Sequence, residues 1–500
     1  MLKYVTLTNK GSEKMKEFCR KYLKKIVYFL QVIASIIFVS SMYIIQVIPM
    51  NYFIGVIAFL LILLIGEYFL IFYKKEKSKR SLITQILSVI LSILLLIGSF
   101  YVYKVGKTVD LMSEGGFQKR AISVIVLSDS EIKNELQLPN HQLGYMSSID
   151  FESMSYAIGE LRDYVGYIQL HDYNDPSSLV DALYNKDVDA IVLDEAFRSL
   201  CEQYKETFTD DTRVIYQITR DESAVESKSV EVTEKPFLIY ISGNDEYGDL
   251  SAVSRSDVNM LIGINPKSKQ ILLISIPRDL YYPLHMNGQY DKFTHAGLYG
   301  LDESIATLQE IIDEEINYYG RLNFTSFIEI VDALGGITVN SPQAFTTKIG
   351  KYEIKEGINE LNAKQALAFV RERKSFKDGD FARGRNQQRM VSAIVKKICS
   401  PAIITSFSSV LDTVAKSIET NLSSREINAL VQLQLSQMPS WDIQSCQISG
   451  TPTSMPCYSL GGRSASVIVI DETSLQQTKD YIDKFLAGER IQTETGDLDQ

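Results

Sequence analysis

Three long runs with almost no charge open the chain. Ile26–Ile48 carries no charged residue, Asn51–Tyr73 carries only Glu67, and Ser81–Tyr103 carries none. Each exceeds the roughly 20 apolar residues needed to cross a bilayer core. They predict three transmembrane helices over residues 26–104, behind a basic tail, residues 1–25. Three such spans in succession, with no small-residue cleavage site after the first, argue against a cleaved signal peptide.

Beyond the spans the pattern shortens. Ala121–Leu127 and Ala190–Asp194 read as strands, and Met154–Val165 and Val180–Asp187 as helices, so residues 110–220 form a small α/β accessory domain. Asp221–Lys235, dense in Ser, Glu, Thr and Lys, reads as a linker. A second α/β unit covers residues 236–486. It opens with strands Phe237–Ser242, Val258–Ile264 and Gln270–Ile276, followed by a helix over Leu301–Ile316 with Ile305, Leu308, Ile312 and Ile316 at helical spacing. Thr325 or Ser326 is the candidate cap of a helix over Phe327–Leu334, and Gly335-Gly336 its left-handed stop. Ile337–Asn340 and Ser466–Ile470 read as strands. Asn362–Phe369, Gln387–Lys397, Ser424–Leu435 and Ser474–Phe485 read as helices. The polar tail, residues 487–500, is expected to be disordered.

Charge orients this arrangement. Lys14, Lys16, Arg20, Lys21, Lys24 and Lys25 precede the first span, and the second connection is the basic run Lys74-Lys75-Glu76-Lys77-Ser78-Lys79-Arg80. The positive-inside rule then makes the N-terminus cytoplasmic and everything after the third span extracellular. Residues 1–104 hold 14 basic and 4 acidic side chains, leaving 37 basic and 57 acidic beyond, a net charge near −20 outside. So acidic an exterior argues against nonspecific binding to nucleic acid. The cytoplasmic segments are too short for a helix-turn-helix module. Of the five cysteines, Cys201 and Cys399 read as lone buried residues. Cys446 and Cys457 either close a short loop or stay unpaired, since an oxidising exterior permits both.

Within the acidic exterior, basic clusters recur at Ser254-Arg255-Ser256-Asp257, Pro277-Arg278-Asp279, Arg371-Glu372-Arg373 and Arg383-Gly384-Arg385-Asn386-Gln387-Gln388. A solvated surface edge explains any one of them. Together they favour one pocket for a phosphorylated ligand, because a guanidinium fork binds phosphate oxygens bidentately. Asp245 and Asp257 sit at strand ends, where α/β folds place ligand groups, and suit a hard cation such as Mg2+ as well as they suit turn and cap roles. The four histidines are scattered without zinc-motif spacing.

These residues carry a resemblance. Ser254-Arg255-Ser256-Asp257, Ser275-Ile276-Pro277-Arg278-Asp279, Lys292 through Tyr299-Gly300, Val331–Ile337, Ala368–Arg373, Asp380–Arg383 and Gln387-Gln388 follow one another as in the catalytic domain of the LytR-CpsA-Psr family. The three-span anchor and intervening domain resemble its capsule-type members. The resemblance implies an α/β/α domain with a mixed central sheet that binds a polyprenyl diphosphate. By position, Asp245 and Asp257 would hold Mg2+; Arg255, Arg278, Arg371, Arg373 and Arg383 would grip the phosphates, with Gln387 adding a hydrogen bond. Arg278, Arg255 and Asp257 would be catalytic. Asn386 departs from the pattern, standing where many members have a further arginine. The implied activity is transfer of a glycopolymer, capsular polysaccharide by the capsule-type layout, from an undecaprenyl-diphosphate carrier to peptidoglycan. The implied surroundings are the membrane and other capsule-synthesis membrane proteins. A membrane-bound regulator of capsule synthesis or transcription and a lipid-diphosphate hydrolase are the alternatives.

Overall fold

The computed structural model describes residues 2–45, 49–73, 79–113, 118–147, 151–222, 225–244, 252–401, 403 and 407–494. Asp245 and residues 74–78 of the basic connection lie outside them, as does the end of the tail. The chain divides into two compact units, Met1–Asp110 with Ile427–Met438, and Leu111–Glu426 with Pro439–Gln500.

The first unit contains α1 (Leu2–Ile45), α2 (Met50–Phe72) and α3 (Lys79–Ser113). Tyr22–Ile44, Met50–Phe72 and Ser81–Thr108 are long and apolar enough to cross a membrane, within a few residues of the expected spans. Their few polar side chains meet one another. Ser88 Oγ donates to Glu67 at 3.4 Å and Ser92 Oγ donates to Gln31, as expected where no water can satisfy a polar group.

The second unit begins with β1 (Gln118–Leu127), β2 (Gln142–Tyr145), α4 (Phe151–Val165), β3 (Gln169–Asp172), α5 (Pro176–Tyr184), β4 (Ala190–Asp194), α6 (Arg198–Tyr204), α7 (Phe208–Asp211) and β5 (Thr212–Glu222). Among the described residues these form a five-stranded mixed sheet in the order β3-β2-β4-β1-β5. Its β5 runs to Glu222, into the stretch read as linker, because it pairs along the whole of β1.

The rest of the unit runs β6 (Phe237–Gly243), β7 (Val258–Asn265), β8 (Gln270–Ile276), β9 (Leu280–Pro283), β10 (Tyr290–Lys292), α8 (Phe293–Tyr299), α9 (Leu301–Ile312), β11 (Tyr318–Leu322) and α10 (Phe324–Ala333). It continues through β12 (Ile337–Ser341), β13 (Phe345–Thr346), β14 (Glu353–Ile354), β15 (Gly357–Leu361), α11 (Ala363–Arg371), α12 (Asp380–Ile398), α13 (Phe407–Ser417) and β16 (Glu419–Thr420). After α14 (Ser424–Gln437), most of which falls in the first unit, come β17 (Asp442–Gln447), β18 (Gly450–Pro456), β19 (Ser464–Ile470) and α15 (Glu472–Leu486).

The central sheet has the order β16-β11-β6-β7-β8-β17 and is mixed: β6 is parallel to β11 and antiparallel to β7, and β8 is parallel to β17. All seven residues of β8 are buried because helices cover both faces. Leu272, Ile274 and Ile276 pack with α9 and α15, whereas Ile271 and Leu273 pack toward Val391 and Val395 of α12. This period-two split makes an α/β/α sandwich, as the family resemblance implies.

Local chemistry moves several boundaries. The cap of α10 is Asn323, whose side chain accepts from Ser326 N at 2.9 Å, so the helix starts ahead of Thr325 and Ser326. Asn323 takes the role because it is the last residue before helical backbone begins. Helix α9 stops at Ile312, where Asp313 turns left-handed at φ 61°, and Ile316 reaches the core from a loop. Gly335 and Gly336 do provide the left-handed stop, at φ 71° and 87°. The tail, expected to be disordered from residue 487, is held as far as Thr493: Ile491 N donates to Gln270 at 2.9 Å and Thr493 N to Gln444 at 3.2 Å.

Cys446 and Cys457 are separate buried free thiols, the first in β17 and the second in a core shared with the accessory domain. Burial pushes both thiols up to about 12. At pH 8, Cys446 and Cys457 of the native full-length protein in micelles should therefore take no alkylating label, and both should label after denaturation without reductant. A Cys446–Cys457 disulfide seen by peptide mass spectrometry would contradict this packing.

Candidate functional site

Strand register brings the central residues together. Gly243 pairs with Val258 and Asn259 with Ile276, so Asn244, Asp257 and Arg278 emerge at one end of the sheet. Asp257 N donates to Gly243 O at 2.8 Å, fixing that corner. Arg278 Nη1 meets Asp257 Oδ1 at 2.5 Å, and its Nε lies 3.8 Å from Asp279, which also takes Lys292 Nζ at 3.0 Å.

Helices supply the other wall. Arg371 ends α11 and lies with its guanidinium 4.1 Å from the centre of the Phe324 ring, a cation–π contact that holds the plane flat. Buried Glu372 accepts from Lys348 N at 2.6 Å and Ser375 N at 3.0 Å, tying the β13–β14 hairpin to the loop that carries Arg373 and Lys374. The expected start of the next helix, Gln387, is wrong by two turns: α12 begins at Asp380. Arg383 and Gln387 are therefore one turn apart on the same helical face and both line the cleft. Gly384 lets α12 close on the sheet, since a Cβ there would lie 2.5 Å from Ser275 Oγ and Gln447 Nε2. Gln388 donates to the carbonyls of Leu273 and Cys446 at 3.1 and 2.6 Å, and so is structural.

The cleft is lined by Asn244, Asp257, Arg278, Phe324, Lys348, Arg371, Arg373, Lys374, Arg383 and Gln387, among others. An apolar pocket adjoins it, lined by Ile241, Met260, Leu322, Phe327, Leu367, Met390 and Val391; Asn244, Phe324, Val370 and Gln387 border both. Such a pair of compartments can take an anionic head and an apolar tail.

Carboxylates hold the cations in place. Asp380 Oδ1 bridges Arg383 Nη2 at 2.9 Å and Arg373 Nη1 at 3.5 Å. Burial lowers the pKa of Arg383, and Arg278 and Arg373 beside it push the same way against Asp380. For Arg278 burial also works downward, but Asp257 and Asp279 outweigh it and the pKa is raised. An anion entering this cleft would relieve the repulsion between guanidinium groups.

Of the residues expected from sequence, Asp257, Arg278, Arg371, Arg373, Arg383 and Gln387 converge. Arg255 does not line the cleft; it lies half-buried in the segment that leads into β7. Asp245 lies outside the described residues. Arg385 pairs with Asp378 on the outer face of α12, and Asn386 is buried at 1% exposure, accepting from Arg389 at 3.1 Å. Neither lines the cleft. Lys348, Lys374 and Phe324 carry no sequence signal; the contacts of Glu372 bring in the two lysines, and the Asn323 cap of α10 brings in Phe324.

Among the described residues no three acidic, histidine or cysteine side chains cluster as a metal site. The buried Asn244 Oδ1, however, has no hydrogen-bond partner and lines the cleft with Asp257. An orphaned amide oxygen beside a carboxylate fits a hard cation such as Mg2+.

Residues 203–484 match the LytR_cpsA_psr family. The chain belongs to that family. Among its relatives are the polyisoprenyl-teichoic acid–peptidoglycan teichoic acid transferases TagU of Bacillus mycoides and TagT of Bacillus subtilis. TagU is 38% identical over 205 residues, covering 41% of this chain and 66% of the relative. TagT is 34% identical over 221 residues, covering 43% of this chain and 66% of the relative. The chain thus spans just under two thirds of the length of these curated relatives. Solved structures with similarity include TagT bound to LI-WTA (28% identity, 52% of this chain and 96% of that one, TM-score 0.43). A second is a Streptococcus agalactiae protein (26% identity, 54% and 94%, TM-score 0.45).

The cationic cleft yields a graded expectation. Charge-assisted hydrogen bonds contribute about 1.5–3 kcal/mol each, so Arg371→Ala or Arg383→Ala should weaken binding of inorganic diphosphate, an anionic probe, by roughly 10- to 100-fold. Arg385→Ala should change it by less than about 3-fold, because that side chain is outside the cleft and its exposed ion pair is weak. Titration calorimetry in micelles reads the difference, and equal losses at Arg385 and Arg371 would mean the cleft is misassigned.

Proposed function

We propose that this protein is a membrane-anchored phosphotransferase that moves a glycopolymer from a polyprenyl-diphosphate carrier to peptidoglycan. The observation that carries the reading is the cleft in which Arg278, Arg371, Arg373 and Arg383 converge beside an apolar pocket. A lipid diphosphate has both parts, and the family relatives named above act on polyisoprenyl-linked polymers. Capsular polysaccharide is the polymer we favour, on the three apolar helices and intervening domain that resemble capsule-type members of the family. In this reading the spans cross the membrane with the N-terminus cytoplasmic, and the cleft is extracellular, where a carrier that cannot leave the bilayer stays within reach.

In the reaction, an acceptor hydroxyl oxygen attacks the glycan-side phosphorus. The bond from that phosphorus to the bridging oxygen breaks, polyprenyl phosphate leaves with the electron pair, and the hydroxyl proton is released. The product is a phosphodiester. Rate in such transfers comes mainly from positioning and from neutralising charge on the phosphoryl oxygens. Arg371, held against Phe324, would present its fork edge to a phosphate, while Arg278 and Arg383, both in contact with Asp257, would meet the diphosphate together. Gln387, at the boundary of the two compartments, would donate to the phosphate nearest the lipid. Asp257 and Asn244, with Asp245 by the family pattern, would hold Mg2+, which when bound neutralises further phosphate charge.

The test supplies the full-length protein in micelles with a prenyl-diphosphate-linked saccharide, Mg2+ and peptidoglycan fragments, and looks by mass spectrometry for the phosphodiester-linked product. Arg278→Ala should reduce transfer at least about 100-fold, the scale expected for a donor aimed at developing charge. Saccharide phosphate released without linked product would instead identify a hydrolase. Binding without any turnover would leave the regulator.

A further inference from the structure

The accessory sheet reaches the cleft through one buried arginine. Arg120 of β1 is 1% exposed and its guanidinium is fully engaged. Nη1 meets Asp194 of β4 at 2.5 Å and Nε pairs with Glu222 of β5, so its charge is balanced within the accessory domain. The same group then donates out of that domain, from Nη1 to Leu298 O at 3.3 Å and from Nη2 to Tyr299 O at 2.8 Å. Those are the last carbonyls of α8. A helix end leaves such carbonyls without intrahelical partners, and a cation there also meets the negative end of the helix dipole. Gly300 leaves the helical path there at a positive φ of 135° and opens α9 directly.

The other end of α8 belongs to the cleft. Thr294 N donates to Arg278 O at 2.8 Å, and Thr294 O accepts from Ser256 N at 3.4 Å, next to Asp257. Between the two ends, Gly297 lies flush against the chain that leads to Asp257: a Cβ there would stand 2.8 Å from Ser254 O and 3.0 Å from Ser256 N. This 7-residue helix is thus held at both ends and along one side. Beside Arg120, Lys119 O accepts from Val253 N at 3.3 Å, so β1 touches the same segment a second time.

We propose that Arg120 is a positioning residue: by capping α8, the accessory domain sets where the backbones of Arg278 and Asp257 stand. The proposal rests on the diphosphate reading of the cleft, not on which polymer is transferred. It gives the accessory domain a task in the grip on phosphate, and any ligand or partner that shifted β1 would act on the cleft by this route.

Arg120→Ala would strand buried carboxylates and carbonyls and is not the informative variant. Arg120→Lys keeps a charge for Asp194 and Glu222 but has no planar fork to span both carbonyls. Measured on the folded full-length protein in micelles, its Kd for farnesyl diphosphate should rise about 10-fold, since errors of about 1 Å at a site cost up to about 100-fold. Arg463→Met perturbs the same domain junction away from α8, where Arg463 lies 4.7 Å from the Tyr204 ring, and should leave Kd within about 2-fold. On an Arg278→Lys background Arg120→Lys should add clearly less than it does alone, because coupled residues are not additive. A residue that only stabilises the fold would lower the active fraction and leave Kd unchanged. Wild-type affinity in Arg120→Lys, an equal loss in Arg463→Met, or full additivity with Arg278→Lys overturns the proposal while leaving the phosphate cleft intact. Failure of the wild type to bind farnesyl diphosphate overturns the diphosphate reading, and this inference with it.

Discussion

Like charges packed into one cleft are the constraint that organises this family member. Arg278, Arg371, Arg373 and Arg383 line a single cavity, and at such spacing guanidinium groups repel strongly where water is partly excluded. Each is therefore restrained by something that does not fully cancel it. Asp257 holds Arg278, Asp380 is shared between Arg373 and Arg383, and Arg371 rests against the Phe324 ring. The shared Asp380 is the telling case: one carboxylate for two cations leaves net positive charge facing the cavity. The balance is strong enough to fix geometry and weak enough to leave room for an anion.

The rest of the unit serves that balance. The register of β6, β7 and β8 determines that Asp257 and Arg278 leave the sheet at one end. The capping box of α11, in which Asn362 and Gln365 satisfy each other's backbone, sets the phase in which Arg371 emerges. Close packing at Gly384 fixes the depth of α12. Each is an ordinary folding device, and the cleft is where their outputs meet.

Much of this is legible in sequence, for identifiable reasons. The apolar runs of β8 and of the three long helices are local patterns, so a buried strand and the apolar helices follow from them directly, whereas the sandwich is what the family resemblance implies. The converging arginines are legible as a set because basic clusters are out of place in an acidic domain. Boundaries set by competition between neighbours are not. Asn323, Thr325 and Ser326 can all cap a helix, and only the backbone at Asn323 decides. The polar start of α12, from Asp380 through Asn386, hides a helix that is buried by contact with the sheet and not by apolar periodicity. Arg120 is the extreme case. It directly precedes the apolar run that opens at Ala121, and its partners are up to 179 positions away in sequence.

The charge of the whole chain bears on the same point. Beyond residue 104 the excess of acidic side chains is about 20, yet the cleft is cationic. At physiological salt, screening acts over about 8 Å, so an approaching polyanion feels the acidic surface only at close range and the cleft only at its mouth. A net-acidic body with a cationic cleft therefore confines its attraction for an anion to the mouth of that cleft. The fold thus separates two effects that a uniformly basic protein would merge: attraction at the cleft, and repulsion of anions over the acidic surface.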